Sequence, residues 1–238
     1  MITKEQVKEA KWRILMVCVK DFIEEGFLHT HVNEIVKEAD VTVSSFRRLF
    51  KNKDGVLFEL IDFMFDNQFA LARKHPNEDP VHVYALETAI QLSIAETHDH
   101  IREIYLEAYT DPRCLEFIRR RTASELLLAF KNFNPTWEEE DFYEAEIGSS
   151  GLMRGYMEHP CDSSFTFEKK IKGFLSFALK GYNVPGGKIQ ETISSVLSLD
   201  LGSLGAKALS KFFDSLERTF GCKLSEASKS QKKAIPSA

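Results

Sequence analysis

The chain reads as an all-α protein in which a small N-terminal three-helix unit is joined by a long helix to a larger helical domain. Three observations predict this. Apolar residues recur three to four apart through most of the sequence, with no convincing strand and no internal repeat. Two short segments, Ile35-Val36-Ala39 and Phe46-Leu49-Phe50, keep that spacing on either side of a break at Asp40-Val41. Helices this short fall below the roughly twelve residues at which an isolated helix becomes marginal, so they need a partner. The segment from Lys53 to about Lys74 is apolar on more than one face (Val56, Leu57, Leu60, Ile61, Phe63, Met64, Phe65, Phe69), so it must be covered on both sides and serves as the connector.

Helix one runs from Thr3 to Glu25, with Trp12, Leu15, Cys18/Val19 and Phe22/Ile23 on one face and Gly26 as the stop. Thr30 or His31 is the N-cap of helix two, which runs to about Ala39. Thr42 caps helix three, Val43 to Phe50, and Asn52 caps helix four. Asp79-Pro80 starts helix five, a sixth spans Asp99 to Tyr109, and Asp111-Pro112 opens a seventh ending near Asn132. Asn134-Pro135 opens an eighth, with Glu138 to Asp141 in its first turns, where the helix dipole favours acids. Its later half is rich in glycine, which costs about 1 kcal/mol per residue against alanine and so suggests close helix–helix approach. Helix nine covers Glu168 to Tyr182. Val184-Pro-Gly-Gly is a breaker, followed by one or two further helices over Lys188–Leu199 and Leu204–Phe220, interrupted around Gly202 and Gly205. The polar residues 223–238 form a fraying tail.

The 238 residues carry a net charge of -5, 43% hydrophobic and 28% charged residues, which fits a full globular core. An acidic average argues against a nucleic-acid-coated protein, but local charge decides contact. Cys18, Cys114, Cys161 and Cys222 are scattered without a C-x-x-C pair and read as reduced thiols. The charged N-terminus and the lack of a membrane-length apolar run point to a cytoplasmic protein with no membrane partner. His98-Asp99-His100 reads as a solvated helix start rather than a metal site, because positions i and i+2 of a helix point apart; Arg119-Arg120-Arg121 reads as a solvated face. With no phosphate loop, nucleophile elbow or H-E-x-x-H, no cofactor or metal is called for and an enzyme is poorly supported.

A helix-turn-helix reader needs a positioning helix, a tight turn and a second helix whose exposed face suits a major groove. With Phe46, Leu49 and Phe50 inward, helix three exposes Val43, Ser44, Ser45, Arg47 and Arg48. Small residues there allow close backbone approach, and arginine can donate a bidentate pair to guanine. Lys51 and Lys53 follow, so Phe46 to Asp54 carries four positive charges against one negative. The competing reading is an ordinary solvated basic face.

Residues Arg13 to Leu57 resemble the N-terminal domain of the tetracycline-repressor (TetR) family. Arg13-Ile14-Leu15, Phe22, Gly26-Phe27, Thr30, Val32, Ile35, Ala39, Val41, Phe46, Phe50, Lys53 and Leu57 match its pattern in unbroken register, over about a fifth of the chain. Departures are Arg47 for a tyrosine, Leu49 for a histidine, Asp40 for the turn glycine and His31 for a threonine. The resemblance implies an all-α fold with a helix-turn-helix DNA-binding domain at 1–52 and a helical ligand-binding and dimerisation domain at 53–222. It also implies a homodimeric repressor released from a palindromic double-stranded operator by a small-molecule effector. DNA contacts would come from Thr30, His31, Thr42, Val43, Ser44, Ser45, Arg47, Arg48, Lys51 and Lys53. A ligand pocket among helices four to eight would use Phe69, Tyr84, Tyr105, Tyr109, Phe117 and Phe130, for an apolar or aromatic effector. Candidate dimer residues are Ile147, Gly151, Leu152, Gly155, Ile171, Phe174, Leu175 and Ala178, with intramolecular packing as the alternative. A helical ligand- or protein-binding dimer that has lost specific DNA reading is the second functional reading.

Overall fold

The structure, a computed structural model, describes residues 3–77 and 79–220. Helix α1 (Lys4–Glu24) starts at Thr3 in a capping box: the Thr3 hydroxyl accepts from the Gln6 amide, and the Gln6 side chain accepts from that of Thr3. It ends before Gly26, whose φ of 92° lies in the left-handed region that glycine adopts without strain. Helices α2 (Val32–Glu38) and α3 (Val43–Phe50) follow. Thr42 caps α3 by accepting from the Ser45 amide at 3.1 Å. The turn between them places Asp40 at φ 50°, a conformation aspartate tolerates better than most residues, and Arg13 fixes it by donating to the Asp40 carbonyl at 3.2 Å. Ile14, Leu15, Phe22, Ile35, Phe46 and Phe50 fill the space between the three helices.

Asn52 caps α4 (Lys53–Ala72) by accepting from Gly55, and Val56 and Leu57 seal that helix onto the N-terminal unit. Helix α5 (Pro80–Thr97) is the central element, buried along nearly its whole length. Around it pack α6 (Asp99–Ala108), α7 (Pro112–Phe130), α8 (Glu139–Glu158), α9 (Phe167–Gly181), α10 (Gly186–Leu197) and α11 (Leu201–Phe220). No strand occurs among the described residues, and no helix there is long and apolar enough to cross a membrane. Cys18, Cys114 and Cys161 are free thiols; Cys222 and the tail at 223–238 lie outside the described residues.

Several boundaries differ from the sequence reading, each for a local reason. Asn134-Pro135 does not open α8. Asn134 is buried, donating to the carbonyls of Phe130 and Tyr182, while Glu138 caps the helix in a box with Asp141. Gly186-Gly187 begin α10 instead of separating it from α9, because Pro185 already supplies the break. Gly202 and Gly205 lie inside α11, and the interruption falls at Ser198–Asp200. There, a side chain at Gly205 would press on Ser93 of α5, which makes the close approach expected of the glycines in α8. A β-carbon on Gly148, Gly151 or Gly155 of α8 would meet nothing among the described residues, so these three do not serve packing between the described helices.

Candidate DNA-binding face and internal cavity

The surface of α3 follows from its three buried anchors. With Phe46 and Phe50 fully inward and Leu49 half-buried, the other flank presents Val43, Ser44, Arg47 and Arg48, all exposed, with Lys51 at its end and His31 and Thr42 at the mouths of the two helices. Ser45 is half-buried and accepts from the Thr42 hydroxyl at 3.0 Å. Lys51 takes a positive φ of 67°, which turns the chain sharply into α4. Arg47 and Arg48 have no acidic partner among the described residues and stand free over a surface suited to phosphate or base edges.

Two expected DNA contacts are placed elsewhere. Thr30 is 1% exposed, and its hydroxyl donates to the Gly26 carbonyl at 2.7 Å, so it shapes the loop and does not face DNA. Lys53 turns inward: its ammonium donates to the carbonyls of Phe27 and Thr30 and lies 4.3 Å from the centre of the Phe27 ring. Burial lowers its pKa from the ordinary lysine value, and nearby acids, led by Asp54, oppose the drop.

Helix α6 ties this unit to the interior. His100 contacts the Ile23 carbonyl at 2.8 Å, and Glu103 accepts from the Leu28 amide at 2.6 Å, so the loop from α1 to α2 is held from α6. Further along the same helix, Tyr105 and the following Tyr109 line an internal cavity. Its volume is about 40 Å³, below the usual range for small-molecule sites, so a ligand of that size enters only by displacing lining side chains.

Four of the expected pocket residues, Phe69, Tyr84, Tyr105 and Tyr109, line the cavity. Phe117 does not; it packs edge-on against Phe58, ring centres 5.1 Å apart. Phe130 stacks on Tyr182 at 4.5 Å and belongs to the core behind. The sequence reading missed the polar lining, chiefly Gln68, Glu87, Thr88, Gln91, Glu146 and Ser149. Gln68 donates to the Tyr105 hydroxyl and Gln91 to that of Tyr109, the latter at 3.1 Å. Burial raises Glu87 to about 8, reinforced by the charges of Glu125 and Glu146. Burial likewise raises Glu146 to about 7, against the pull of the Ser149 and Tyr182 hydroxyls and of Arg119. A signal existed in the sequence: Glu87 and Gln91 are four apart in a largely apolar helix, so they share a face that the core would exclude unless it lined a site.

The expected dimer residues divide. Ile171, Phe174, Leu175 and Ala178 of α9 are buried against their own chain, and Phe174 lines the cavity; they are not interface residues. Their apolar stripe packs within the chain, the alternative to an interface, covered by α5, α8 and α10. Ile147, Gly151 and Gly155 are exposed on α8 and Leu152 is half-buried, while the outward residue of α9 is Phe177, 66% exposed.

A three-helix unit with a supported recognition helix and a free basic face, joined through α4 and α6 to a helical body, defines a DNA-binding regulator fold of the helix-turn-helix class. Residues 14–60 match the family model of the bacterial regulatory proteins of the tetR family. Among solved structures, one described as a gamma-butyrolactone receptor (ArpA like protein) is similar at 14% identity and a TM-score of 0.46, over 83% of this chain and 98% of that one. No curated protein matches the chain.

Proposed function

We propose that the chain acts as a homodimeric transcriptional repressor that reads a palindromic operator in the cytoplasm and releases it when a small molecule fills the cavity. In this reading residues 1–52 are the reader and the helices from Lys53 onward sense the effector and pair with a second copy. The observation that carries it is α6, which holds the end of α1 through His100 and the loop before α2 through Glu103, and lines the cavity with Tyr105. A ligand that displaces Tyr105 therefore bears on the segment that orients α3. Release requires only that the ligand bind one arrangement of the two readers more tightly than the other.

The outward face of α8, with Ile147, Gly148, Gly151 and Gly155, supports the dimer: a β-carbon on its glycines would meet nothing among the described residues, which leaves room for a second helix. Phe177 of α9 adds exposed apolar surface. Two-fold pairing would set the α3 helices on half-sites about one DNA turn, roughly 34 Å, apart.

Gel-shift titration against the promoter region beside the protein's own gene tests the reading. Arg47→Ala and Arg48→Ala should each weaken binding by about 1–3 kcal/mol if they read bases, or lower the salt slope by about one if they hold phosphate. A protein with no salt-sensitive, sequence-preferring binding at low ionic strength is not this regulator. Gly151→Arg should convert the dimer to monomer in sedimentation velocity and abolish operator binding with the helical signal intact. A wild-type chain that sediments as a monomer at micromolar concentration would remove the dimer from the account.

A further inference from the structure

The polar lining of the cavity is one-sided in its chemistry. Glu87 projects into it from the middle of α5, 6% exposed, and no hydrogen bond or ion pair engages its carboxyl among the described residues. The charges acting on it are those of Glu125 and Glu146, both negative. Glu146, 4% exposed, accepts from the Ser149 and Tyr182 hydroxyls and feels one cation, Arg119, whose guanidinium bonds Ser150 at 3.0 Å and makes no ion pair with it. Gln68 and Gln91 spend their amide nitrogens on tyrosine hydroxyls, which leaves their carbonyl oxygens as acceptors. No lysine, arginine or histidine lines the space, whereas Phe65, Phe69, Tyr84 and Phe174 do.

An unpaired carboxyl in such a place is costly when ionised, and the cost vanishes if a positive charge arrives with the ligand. Aromatic faces add attraction for a cation stripped of water. We propose that the cavity is a receptor for a hydrophobic organic cation, a protonated amine or quaternary ammonium compound, with its charge between Glu87 and Glu146 and its apolar body against the rings. This adds a positive charge to the apolar or aromatic effector expected from sequence. Its regulatory meaning rests on the repressor reading above; the binding itself does not. A surface groove of about 360 Å³, which shares Phe69 and Tyr84 with the cavity and is flanked by the ion pair of Arg73 with Glu125, supplies the room that the cavity itself lacks.

Binding of a permanent cation must expel the protons that Glu87 and Glu146 hold near neutrality, so affinity rises with pH between 6 and 8. The other titratable groups facing the pair are Glu125, Arg119 and the tyrosines Tyr84, Tyr105, Tyr109 and Tyr182. Burial pushes all four phenols upward, so they stay neutral through this range.

Titration calorimetry on the full chain decides the matter, with benzyltrimethyl-, benzyltriethyl- and benzyltributylammonium, the uncharged isostere neopentylbenzene and the anion phenylmethanesulfonate. At pH 8 the best cation should bind about tenfold or more tighter than the neutral and anionic compounds, and about tenfold weaker at pH 6. Glu87→Gln should abolish the preference for charge, keep its helical signal and still bind the neutral compound. Failure of every cation to bind, a neutral compound that binds as well, or an unchanged preference in Glu87→Gln overturns the proposal. If a cation binds but the operator complex is indifferent to it, the cation receptor stands and effector release falls. If a neutral molecule alone releases DNA, the reverse holds.

Discussion

Glu87→Gln should stabilise the ligand-free protein by about 3–4 kcal/mol at pH 8 and by almost nothing at pH 4. The carboxyl is raised by burial from 4.5 to about 8 in the folded chain. A raised acid contributes its full stability below the unfolded value and loses it as pH climbs towards the folded one, at about 1.4 kcal/mol per unit. Across pH 4.5 to 8 the wild-type protein should therefore lose stability steadily. Glutamine, of the same shape and never charged, removes that slope. Glu146, raised to about 7, imposes a similar decline that ends lower, so the single variant flattens the profile without levelling it. Urea melts at pH 4, 6 and 8 measure the effect, and equal midpoint shifts at all three would show that Glu87 is not held in the state described. A residue whose replacement strengthens the fold is one that the fold does not need, which is how binding groups commonly look.

Lys170→Ala should act in the opposite direction, costing about 3–5 kcal/mol. Lys170 is 0% exposed, and its ammonium donates to the Glu96 carboxylate and, at 2.7 Å, to the His159 carbonyl. Arg102 reaches the same carboxylate at 3.3 Å, and the Cys161 amide donates to it at 3.1 Å, so the knot fastens α5, α6, α9 and the loop after α8. Burial pushes the Glu96 carboxyl up, but the Lys170 bond, the Cys161 amide and the Arg102 charge outweigh it and leave the group below its usual value. This stabilisation is present above pH 4.5 and disappears as pH falls through the lowered pKa. Lys170→Met separates charge from packing, since it keeps most of the stem. If methionine restores wild-type stability, the apolar stem alone accounts for the residue; if it resembles alanine, the ion pair does.

Most of the helix plan was legible because periodicity and caps are local. Thr42, Asn52, Asp79 and Asp111 each cap where their spacing implied. What failed was information that local pattern does not hold. The stripe Ile171, Phe174, Leu175 and Ala178 shows that a face is buried without saying by which neighbour. Asn134-Pro135 imitates a helix start, but the tertiary partner Tyr182 claims the asparagine. At the DNA-binding face, exposure of Arg47 and Arg48 followed from the inward phenylalanines. The inward turn of Lys53 depended on two carbonyls more than twenty residues away in the chain. In the cavity the aromatic residues drew notice and the acids did not, although an acid in the middle of an apolar helix is the rarer event.

Helix α11 has a consequence for how the molecule comes into being. Leu209, Phe212 and Phe213 close over Val19, Phe22 and Ile23 of α1 and over Leu60 and Met64 of α4. Helix α1, made before the other described helices, thus keeps an apolar flank uncovered until the last of them has been made. Contacts so distant along the chain form slowly, and surface left open during synthesis is prone to aggregate. The helix-turn-helix unit can take shape early, yet it is sealed late, by a helix far downstream in the chain.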